Sequence, residues 1–408
     1  MTQSSWFGAD GHSRFQVLWQ DGDRVFCRRV DGERDVLAVL LAAEHPAPAA
    51  LDRLAHEYSL KDELDGAWAV RPLALEHDRG RTILVLEDPG GEPLGRLLGA
   101  PFELGRFLRL AIGIAAALGK AHQRGLVHKD LKPAHILVNR ATGEVKLTGF
   151  GIASRLRRER QAPEPPETIA GTLAYMAPEQ TGRMNRSIDA RSDLYALGVT
   201  LYQTLTGSLP FTAADPMDWV HCHIARKPVP PSERLENVPA PASAIIMKLL
   251  AKTAEERYQT AAGVASDLRR CLAQWEAQDY IDEFPLGRQD TPDRLRIPEK
   301  LYGRAREVDT LLGGFDRVIK SGARSWCWSL DTPGSASPRS SMNCTRCSFR
   351  PVGFSRRASS TSTSATFLMR RWPKLFTASS GLSSGRATPS LAVGATPFWR
   401  RWARTAGS

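Results

Sequence analysis

The sequence of 408 residues predicts an α+β fold of two lobes, a small strand-rich N-lobe and a larger helical C-lobe. Short runs of β-branched and apolar residues predict five strands with one helix, 51–64, between the third and fourth; the strands are 15–19, 25–30, 36–41, 67–72 and 82–87. After a turn-forming Asp-Pro-Gly-Gly segment, residues 88–91, apolar residues recur three and four positions apart. This spacing predicts helices at 103–124, 193–205, 217–224, 242–252 and 261–275.

The positive charge of the chain lies in its last fifth. A formal net charge of +11 would by itself favour a nucleic-acid or membrane-surface partner. However, 12 of the 55 basic residues and only one of the 44 acidic residues lie in 325–408, so the first 324 residues carry 43 of each. The front of the chain is therefore neutral overall, and we expect no nucleic-acid partner for it.

Cysteine spacing and hydropathy exclude several other classes of protein. Cys27, Cys222 and Cys271 are scattered, and Cys344 and Cys347 form a single C-x-x-C with no second pair or nearby histidine. Neither a disulfide framework nor a zinc site is expected from this spacing. Because the sequence also lacks a membrane-length apolar run and a signal peptide, it predicts a cytoplasmic protein with no membrane span.

Five motifs follow one another through the predicted helical lobe: 128–133 (HKDLKP), 146–151 (KLTGFG), 171–179 (GTLAYMAPE), 192–198 (SDLYALG) and 255–258 (EERY). In order and spacing they resemble the catalytic loop, the D-F-G segment, the end of the activation loop and the scaffold motifs of serine/threonine protein kinases. The resemblance covers residues 12–275 and implies a bilobal kinase fold, with the N-lobe at 12–88 and the C-lobe at 92–275. It also implies ATP as the cofactor.

The resemblance implies catalytic roles for Asp130 and Lys132. Asp130 matches the residue that accepts the proton of the substrate hydroxyl, and Lys132 matches the residue that steadies the transferred phosphoryl group. The segment before the third motif is predicted to be a surface loop. The alternative is a regulatory role through phosphorylation of Thr168 or Thr172. The remaining structural or regulatory positions are His128, Thr172, Glu179, Asp193 and Arg257.

Both magnesium-ligand positions of the family are changed in this sequence. The catalytic-loop asparagine position is His135, and the D-F-G aspartate position is Gly149. Magnesium prefers an octahedron of oxygen ligands, for which imidazole is a poor substitute and glycine offers no side chain at all. The sequence therefore makes magnesium binding doubtful.

The nucleotide-binding part of the N-lobe is changed as well. The glycine-rich loop position reads QDGDRVF, with one glycine and two acids, Asp21 and Asp23, that would repel phosphate. In the third strand Leu40 takes the place of the phosphate-binding lysine, which leaves Glu57 of the following helix without its usual partner. The candidate ATP contacts that remain are Gly22, Val25 and Glu87.

These losses favour a pseudokinase or weak ATP-binding regulatory module of a larger bacterial signalling protein, acting on protein partners or on downstream signalling domains. The retained Asp130 keeps an alternative open, an active serine/threonine kinase that transfers the ATP γ-phosphate with atypical metal ligation. A further alternative is a basic nucleic-acid-binding tail, in which the aromatic and arginine residues of 399–402 (WRRW) would stack on bases.

The sequence changes character twice after the kinase-like region. Residues 276–299 are polar and proline-containing and predict a linker, and 300–324 resemble the lead-in to the P-loop ATPase modules of bacterial multidomain sensor proteins. From about Ser325 the composition breaks, yet a one-base shift of the reading frame permits V-S-G-Y-S-G-[VI]-G-K-S, a phosphate-binding loop. We therefore interpret 300–324 as the start of a truncated P-loop ATPase domain and 325–408 as an out-of-frame, disordered tail.

Overall fold

A computed structural model describes residues 15–29, 36–155, 171–184 and 186–291. The predicted ATPase start (300–324), the predicted out-of-frame tail (325–408) and Thr168 all lie outside the described residues. None of the helices in these ranges combines the length and the apolar character that a membrane span needs.

The N-lobe is a five-stranded antiparallel sheet with one helix. The strands lie in the order β1-β2-β3-β5-β4, and the helix α1 (Pro48–Ser59) connects β3 to β4. Pro48 opens this helix, where the missing N–H of proline costs no hydrogen bond, and the helix therefore begins three residues earlier than predicted. The strands are β1 (Phe15–Asp21), β2 (Arg24–Arg29), β3 (Val36–Leu41), β4 (Pro72–Asp78) and β5 (Arg81–Glu87).

The two faces of β3 pack against different parts of the N-lobe. Leu37, Val39 and Leu41 share a hydrophobic cluster with Leu54 of α1, whereas Leu40 lies on the opposite face. A kinase lysine that pairs with this helix must lie on the helix-facing side of the strand. The helix-facing positions of β3 are Leu37, Val39 and Leu41, so Leu40, to which the sequence assigned the lysine, lies on the face away from α1. The cause is an unbroken apolar run in β3, which carries no alternation to fix the register.

The β1–β2 hairpin replaces the expected glycine-rich loop with a two-residue turn, Gly22-Asp23. Gly22 has φ +58, the left-handed region that glycine adopts without strain. In the resulting register Arg24 pairs with Leu41 of β3. Because directly paired residues project to the same face of a sheet, Arg24 lies on the side that packs on α1.

The predicted strand 67–72 is instead a buried connection between the lobes. The N–H of Val70 donates to the carbonyl of Leu147 at 2.8 Å, and the N–H of Leu147 donates to the carbonyl of Trp68 at 2.9 Å. The strand β4 itself begins at Pro72. The apolar run had signalled burial correctly, but a buried run of this length does not distinguish a strand from an extended connection.

The C-lobe is built around the long helix α2 (Leu104–Gln123), which packs against α3 and α7. Glu103 caps α2, since its carboxylate accepts the N–H groups of Gly105 and Arg106 at 2.6 and 2.8 Å. The five predicted helices are confirmed to within about three residues at each end. The other elements are β6 (Glu92–Pro93), β7 (Ile136–Val138), β8 (Val145–Leu147), α3 (Ala190–Thr206), α4 (Pro216–Ile224), α5 (Pro231–Arg234), α6 (Ala240–Leu249) and α7 (Ala261–Gln278).

The first part of the predicted linker, 276–299, packs against the C-lobe. Helix α7 runs on to Gln278, and Ile281 beyond it is buried in the main core. The carboxylate of Asp290 accepts the backbone N–H groups of Gln259 and Thr260 at 2.6 and 2.8 Å. The folded C-lobe therefore extends at least to 291, past the boundary at 275 that the resemblance implied.

Candidate active site

The catalytic loop is held by one buried carboxylate of α3. Asp193 accepts the N–H of His128 and the N–H of Lys129, each at 2.8 Å, one on each of its oxygens. The Nε2 atom of His122 lies 2.9 Å from the same carboxylate. These contacts hold the backbone of His128 and Lys129, the two residues immediately before Asp130.

His128 packs inside the loop rather than facing the cleft. Its Nε2 atom lies 2.9 Å from the carbonyl oxygen of Thr148, and its ring centroid lies 4.5 Å from that of Phe150. Complete burial lowers the pKa of His128 below the usual range for histidine. A neutral, buried ring of this kind links the catalytic loop to the segment that contains Gly149 and Phe150.

The structure brings together the two residues that the sequence predicted as catalytic, Asp130 and Lys132, and Thr172, a predicted structural or regulatory position. Asp130 accepts the N–H of Thr172 at 2.9 Å, and the Nζ atom of Lys132 donates to the Thr172 hydroxyl at 2.7 Å. The Lys132 Nζ atom also lies 3.6 Å from the Asp130 carboxylate. A base candidate and a cation thus face one another at the mouth of the cleft.

Asp21 of the β1–β2 hairpin reaches into this group of residues. One of its carboxylate oxygens lies 2.8 Å from Lys132 Nζ and 3.0 Å from His135 Nε2. Although burial acts to raise the pKa of Asp21, the His135 and Lys132 contacts outweigh it and hold that pKa well below its usual range. We call Asp21, Lys132 and His135 the Asp21 cluster. The sequence predicted only that Asp21 would repel phosphate. In the structure its carboxylate is itself the anion beside Lys132.

His135 and Gly149, the two altered magnesium positions, are in contact with each other. The carbonyl of Asp130 lies 2.8 Å from His135 Nδ1, and since a carbonyl only accepts, this nitrogen carries the hydrogen. A Cβ atom added at Gly149 would lie only 2.6 Å from two carbon atoms of the His135 ring. The imidazole therefore fills the space that an aspartate side chain at 149 would need.

The residues at these two positions do not fit a magnesium ion. Gly149 offers no oxygen ligand, and the His135 ring covers its α-carbon. Within the described ranges, no three His, Cys, Asp or Glu side chains form a group that could hold a metal ion. We derive no catalytic step through magnesium in this chain.

Restoring the aspartate at 149 alone should destabilise the domain. Gly149 has φ +81, where an L-residue costs about 1–2 kcal/mol, and the clash with the His135 ring adds about 1–3 kcal/mol of overpacking. We expect Gly149→Asp to lower the free energy of unfolding by about 2–5 kcal/mol, measured by urea denaturation. His135→Asn combined with Gly149→Asp removes the clash, so the double variant should be more stable than Gly149→Asp alone. Equal stabilities of the two variants would contradict this contact.

Glu57 lacks the usual β3 lysine but pairs with an arginine instead. Its Oε2 atom lies 2.8 Å from the Arg24 guanidinium, and the two side chains are 2% and 9% exposed. The other oxygen of Glu57 accepts the N–H of Gly149 at 3.1 Å. The cation that pairs with Glu57 therefore comes from β2 and not from β3.

Two aromatic rings fill the space beneath the N-lobe sheet. Trp19 and Phe26 are cross-strand partners whose rings stack with centroids 4.3 Å apart and an angle of 10° between their planes. Both side chains are buried in one cluster with Val39 of β3 and Leu137 of β7. This cluster therefore joins the N-lobe sheet to the C-lobe strand that follows the catalytic loop.

The cavity that remains in the cleft is small. Its volume is about 170 Å³, below the roughly 300–1,000 Å³ typical of ligand pockets. Of the three predicted ATP contacts, Gly22 lines this cavity and the other two do not. Val25 packs on the far face of the sheet, and Glu87 at the end of β5 lies 3.6 Å from Arg71. The structure therefore does not bring these three residues together.

A buried ion pair supports the C-lobe below the cleft. Arg257 contacts Glu179 through two parallel bonds of 2.7 and 2.9 Å, and the Ser192 hydroxyl donates to the same carboxylate at 2.7 Å. The Arg257 side chain is fully buried and also donates to backbone carbonyls. Bidentate geometry of this kind is the strongest arrangement of an arginine and a carboxylate.

A sequence comparison agrees with this architecture: the family profile described as "Protein kinase domain" matches residues 29–268, more than half of the chain. The chain belongs to the protein kinase family. The N-lobe and C-lobe described above are therefore the two lobes of a kinase domain, as the sequence predicted.

Three curated relatives that resemble the kinase domain come from bacteria. It is 41% identical over 165 residues to the serine/threonine-protein kinase PknB of Mycobacterium tuberculosis, a match that covers 40% of this chain and 26% of the relative. It is 39% identical over 197 residues to Pkn1 of Myxococcus xanthus, covering 48% and 28%. It is 34% identical over 205 residues to the probable serine/threonine-protein kinase CE0033 of Corynebacterium efficiens, covering 49% and 30%. The matched part spans about a quarter to a third of these relatives' length.

Sequence reasoning missed three features of the kinase cleft: the Arg24–Glu57 pair, the Trp19–Phe26 stack and the Asp21 cluster. A signal existed for the first, since a Gly-Asp turn fixes the hairpin register and makes an arginine two residues after the glycine a candidate partner for the helix. The other two depend on how the two lobes meet, which the local sequence pattern does not encode.

Proposed function

We propose that this kinase domain is a pseudokinase, a regulatory module whose nucleotide site is filled by its own side chains. The observation that carries the proposal is the Asp21 cluster. A carboxylate of the hairpin lies 2.8 Å from Lys132, the cation that in the family steadies the transferred phosphoryl group. An anion supplied by the chain itself thus competes directly with a phosphoryl group.

The Trp19–Phe26 stack supports the same proposal at the other end of the cleft. Ligand sites are commonly found between the parts of a domain, and here that space holds two stacked rings packed against Leu137. A purine base would have to displace at least one of these rings before it could enter. The small remaining volume, about 170 Å³, agrees with a cleft closed by its own residues.

The contact between His135 and Gly149 removes a further requirement of phosphoryl transfer. Kinases neutralise the phosphates with metal ions held by an asparagine and an aspartate, and neither ligand is present at these two positions. We infer that the domain contributes contacts rather than catalysis. Its targets would be protein partners or downstream signalling domains of a larger bacterial signalling protein.

We also propose that residues 300–324 begin a P-loop ATPase domain whose reading frame is lost near Ser325. The support is the phosphate-binding loop that a one-base shift permits at the place where such a domain would have it. The ATPase would be one candidate for the downstream domain that the pseudokinase contacts.

One observation favours a second candidate function, an active serine/threonine kinase with atypical metal ligation. Asp130, Lys132 and Thr172 are linked at 2.7 to 3.6 Å, an arrangement in which a base and a cation face the same point. All the curated relatives described above are named as serine/threonine-protein kinases. Activity would require Asp21 to leave the cleft.

Thermal unfolding of the full chain with ATP, with magnesium, and with both separates the two functions. A ligand that binds only the folded state stabilises it by about 2.7 kcal/mol when its concentration is 100 times its dissociation constant. We expect no change in the unfolding temperature of this protein with millimolar ATP and magnesium. A catalytically competent serine/threonine kinase domain serves as the positive control and should be stabilised.

Stabilisation that requires ATP and magnesium together would contradict the pseudokinase proposal. In that case phosphate transfer to a generic protein substrate should be lost in Asp130→Asn, the matched variant that keeps the shape of the side chain and removes the base.

A further inference from the structure

Three elements meet at the Arg24 side chain. Its guanidinium contacts Glu57 of α1 at 2.8 Å, and Glu57 in turn accepts the N–H of Gly149 at 3.1 Å. A side chain added at Gly151 would overlap the Arg24 guanidinium, so this group also covers the Gly149–Gly151 turn. Arg24 of β2 therefore contacts both helix α1 and the Gly149–Gly151 turn.

The burial of Glu57 makes its partner necessary. Its side chain is 2% exposed, and an ionised carboxylate removed from water is costly unless a cation or several N–H donors compensate. Among the residues that the structure describes, the hydrogen-bond partners of the Glu57 carboxylate are Arg24 and the Gly149 N–H. The contact between α1 and the Gly149–Gly151 turn therefore depends on Arg24.

The sheet register explains why a cation on β2 can serve here. Arg24 is the direct cross-strand partner of Leu41, one of the three β3 residues in the cluster that packs on α1. Paired residues of an antiparallel sheet project side by side, with Cβ atoms about 4.5–5.5 Å apart. A charge at 24 and a charge at 41 therefore reach nearly the same point above Glu57.

We infer that Arg24 is a positioning residue that takes over, from the neighbouring strand, the pairing of the absent β3 lysine with α1, and locks α1 to the Gly149–Gly151 turn. The lock needs no nucleotide, because every group in it belongs to the chain. It does not rest on the proposed function, since an active kinase with the same side chains would have the same lock.

Moving the positive charge across the sheet tests this inference in the full chain. Arg24→Leu should release α1, and we expect hydrogen exchange of the α1 amides to accelerate by roughly 100-fold because Glu57 loses its buried partner. Adding Leu41→Lys to Arg24→Leu exchanges the two side-chain types between the paired positions. This double variant should recover most of the slow exchange.

The matched control is Arg24→Leu with Leu40→Lys, which places the same charge on the opposite face of β3. We expect no recovery of slow exchange in α1 for this variant. Recovery by Leu40→Lys equal to that by Leu41→Lys would overturn the inference, because a general effect of net charge would then suffice. Unchanged exchange of α1 in Arg24→Leu would overturn it as well.

A milder pair of variants covers the case in which Arg24→Leu does not fold. Arg24→Lys keeps the charge and should leave α1 exchange within about threefold of the wild type, whereas Glu57→Gln keeps the shape of the side chain and should accelerate it. Equal effects of the two substitutions would contradict a charge-dependent lock. These exchange measurements involve no ATP, so their outcome is separate from that of the nucleotide-binding experiment.

Discussion

Trp19→Ala is expected to lower the free energy of unfolding by about 3–5 kcal/mol, the usual cost of truncating a buried tryptophan. The side chain is 9% exposed and loses both its stack on Phe26 and its place in the cluster that reaches Leu137. Among the described residues the buried indole N–H of Trp19 has no hydrogen-bond partner, so its removal offsets a little of the loss. Urea denaturation followed by circular dichroism measures the difference.

The same variant tests whether the aromatic stack stands where a purine base would lie. Trp19→Ala leaves a cavity between the lobes, and adenosine, which lacks the phosphates that Asp21 would oppose, should raise its unfolding temperature but not that of the wild type. Trp68→Ala is the matched control. Trp68 is also buried, but it packs edge-on against Phe150 in the main core, away from the Trp19–Phe26 stack. If adenosine stabilised neither variant, or both alike, the stack would not occupy the position of a base.

Arg257→Met is expected to lower the free energy of unfolding by about 3–5 kcal/mol. Methionine fills a comparable volume, so the main effect is electrostatic: Glu179 remains buried at 3% side-chain exposure with no cation beside it. Three backbone carbonyls, of Ala251, Arg191 and Lys252, lose their donor in the same step. Chemical denaturation of the full chain measures the change.

An exposed ion pair in the same lobe gives the control for Arg257→Met. Arg109 and Glu276 are 57% and 52% exposed, and Arg109→Met should cost at most about 1 kcal/mol because water screens such a pair. Replacing Glu179 together with Arg257 by methionine should be less destabilising than Arg257→Met alone, since no charge is then left buried. A loss below about 1 kcal/mol for Arg257→Met would contradict the structural importance of this pair.

The C-lobe could be predicted from the sequence because its determinants are short motifs with local contacts. The segment HKDLKP lies in a loop, and Asp193, a predicted structural position, accepts the N–H groups of His128 and Lys129 in that loop. The helices that flank these motifs carry a clear spacing of apolar residues, as in α2 and α7. The order of the motifs and the spacing of the apolar residues in the helices therefore predict the same fold.

The cleft itself could be predicted only in part. Lys132, Asp130 and Thr172 could be placed because each lies in a recognised motif. The residues that close the cleft lie on β1 and β2, and a residue such as Asp21 contacts Lys132 only because the N-lobe packs on the C-lobe. The β3 segment, VLAVLL, is apolar at every position, so nothing in it decided between Leu40 and Leu41 as the residue facing α1. With that register unsettled, the pairing of Arg24 with Glu57 could not be derived.

The contact between the His135 ring and Gly149 also constrains the order in which this site can change over evolutionary time. An aspartate that enters at 149 while the imidazole is present meets the His135 ring, whereas replacing His135 by the smaller asparagine first removes that obstacle. A chain that changes position 149 first therefore passes through an intermediate that is less stable by about 2–5 kcal/mol. A chain that changes position 135 first avoids this clash, so the two orders of substitution are not equivalent.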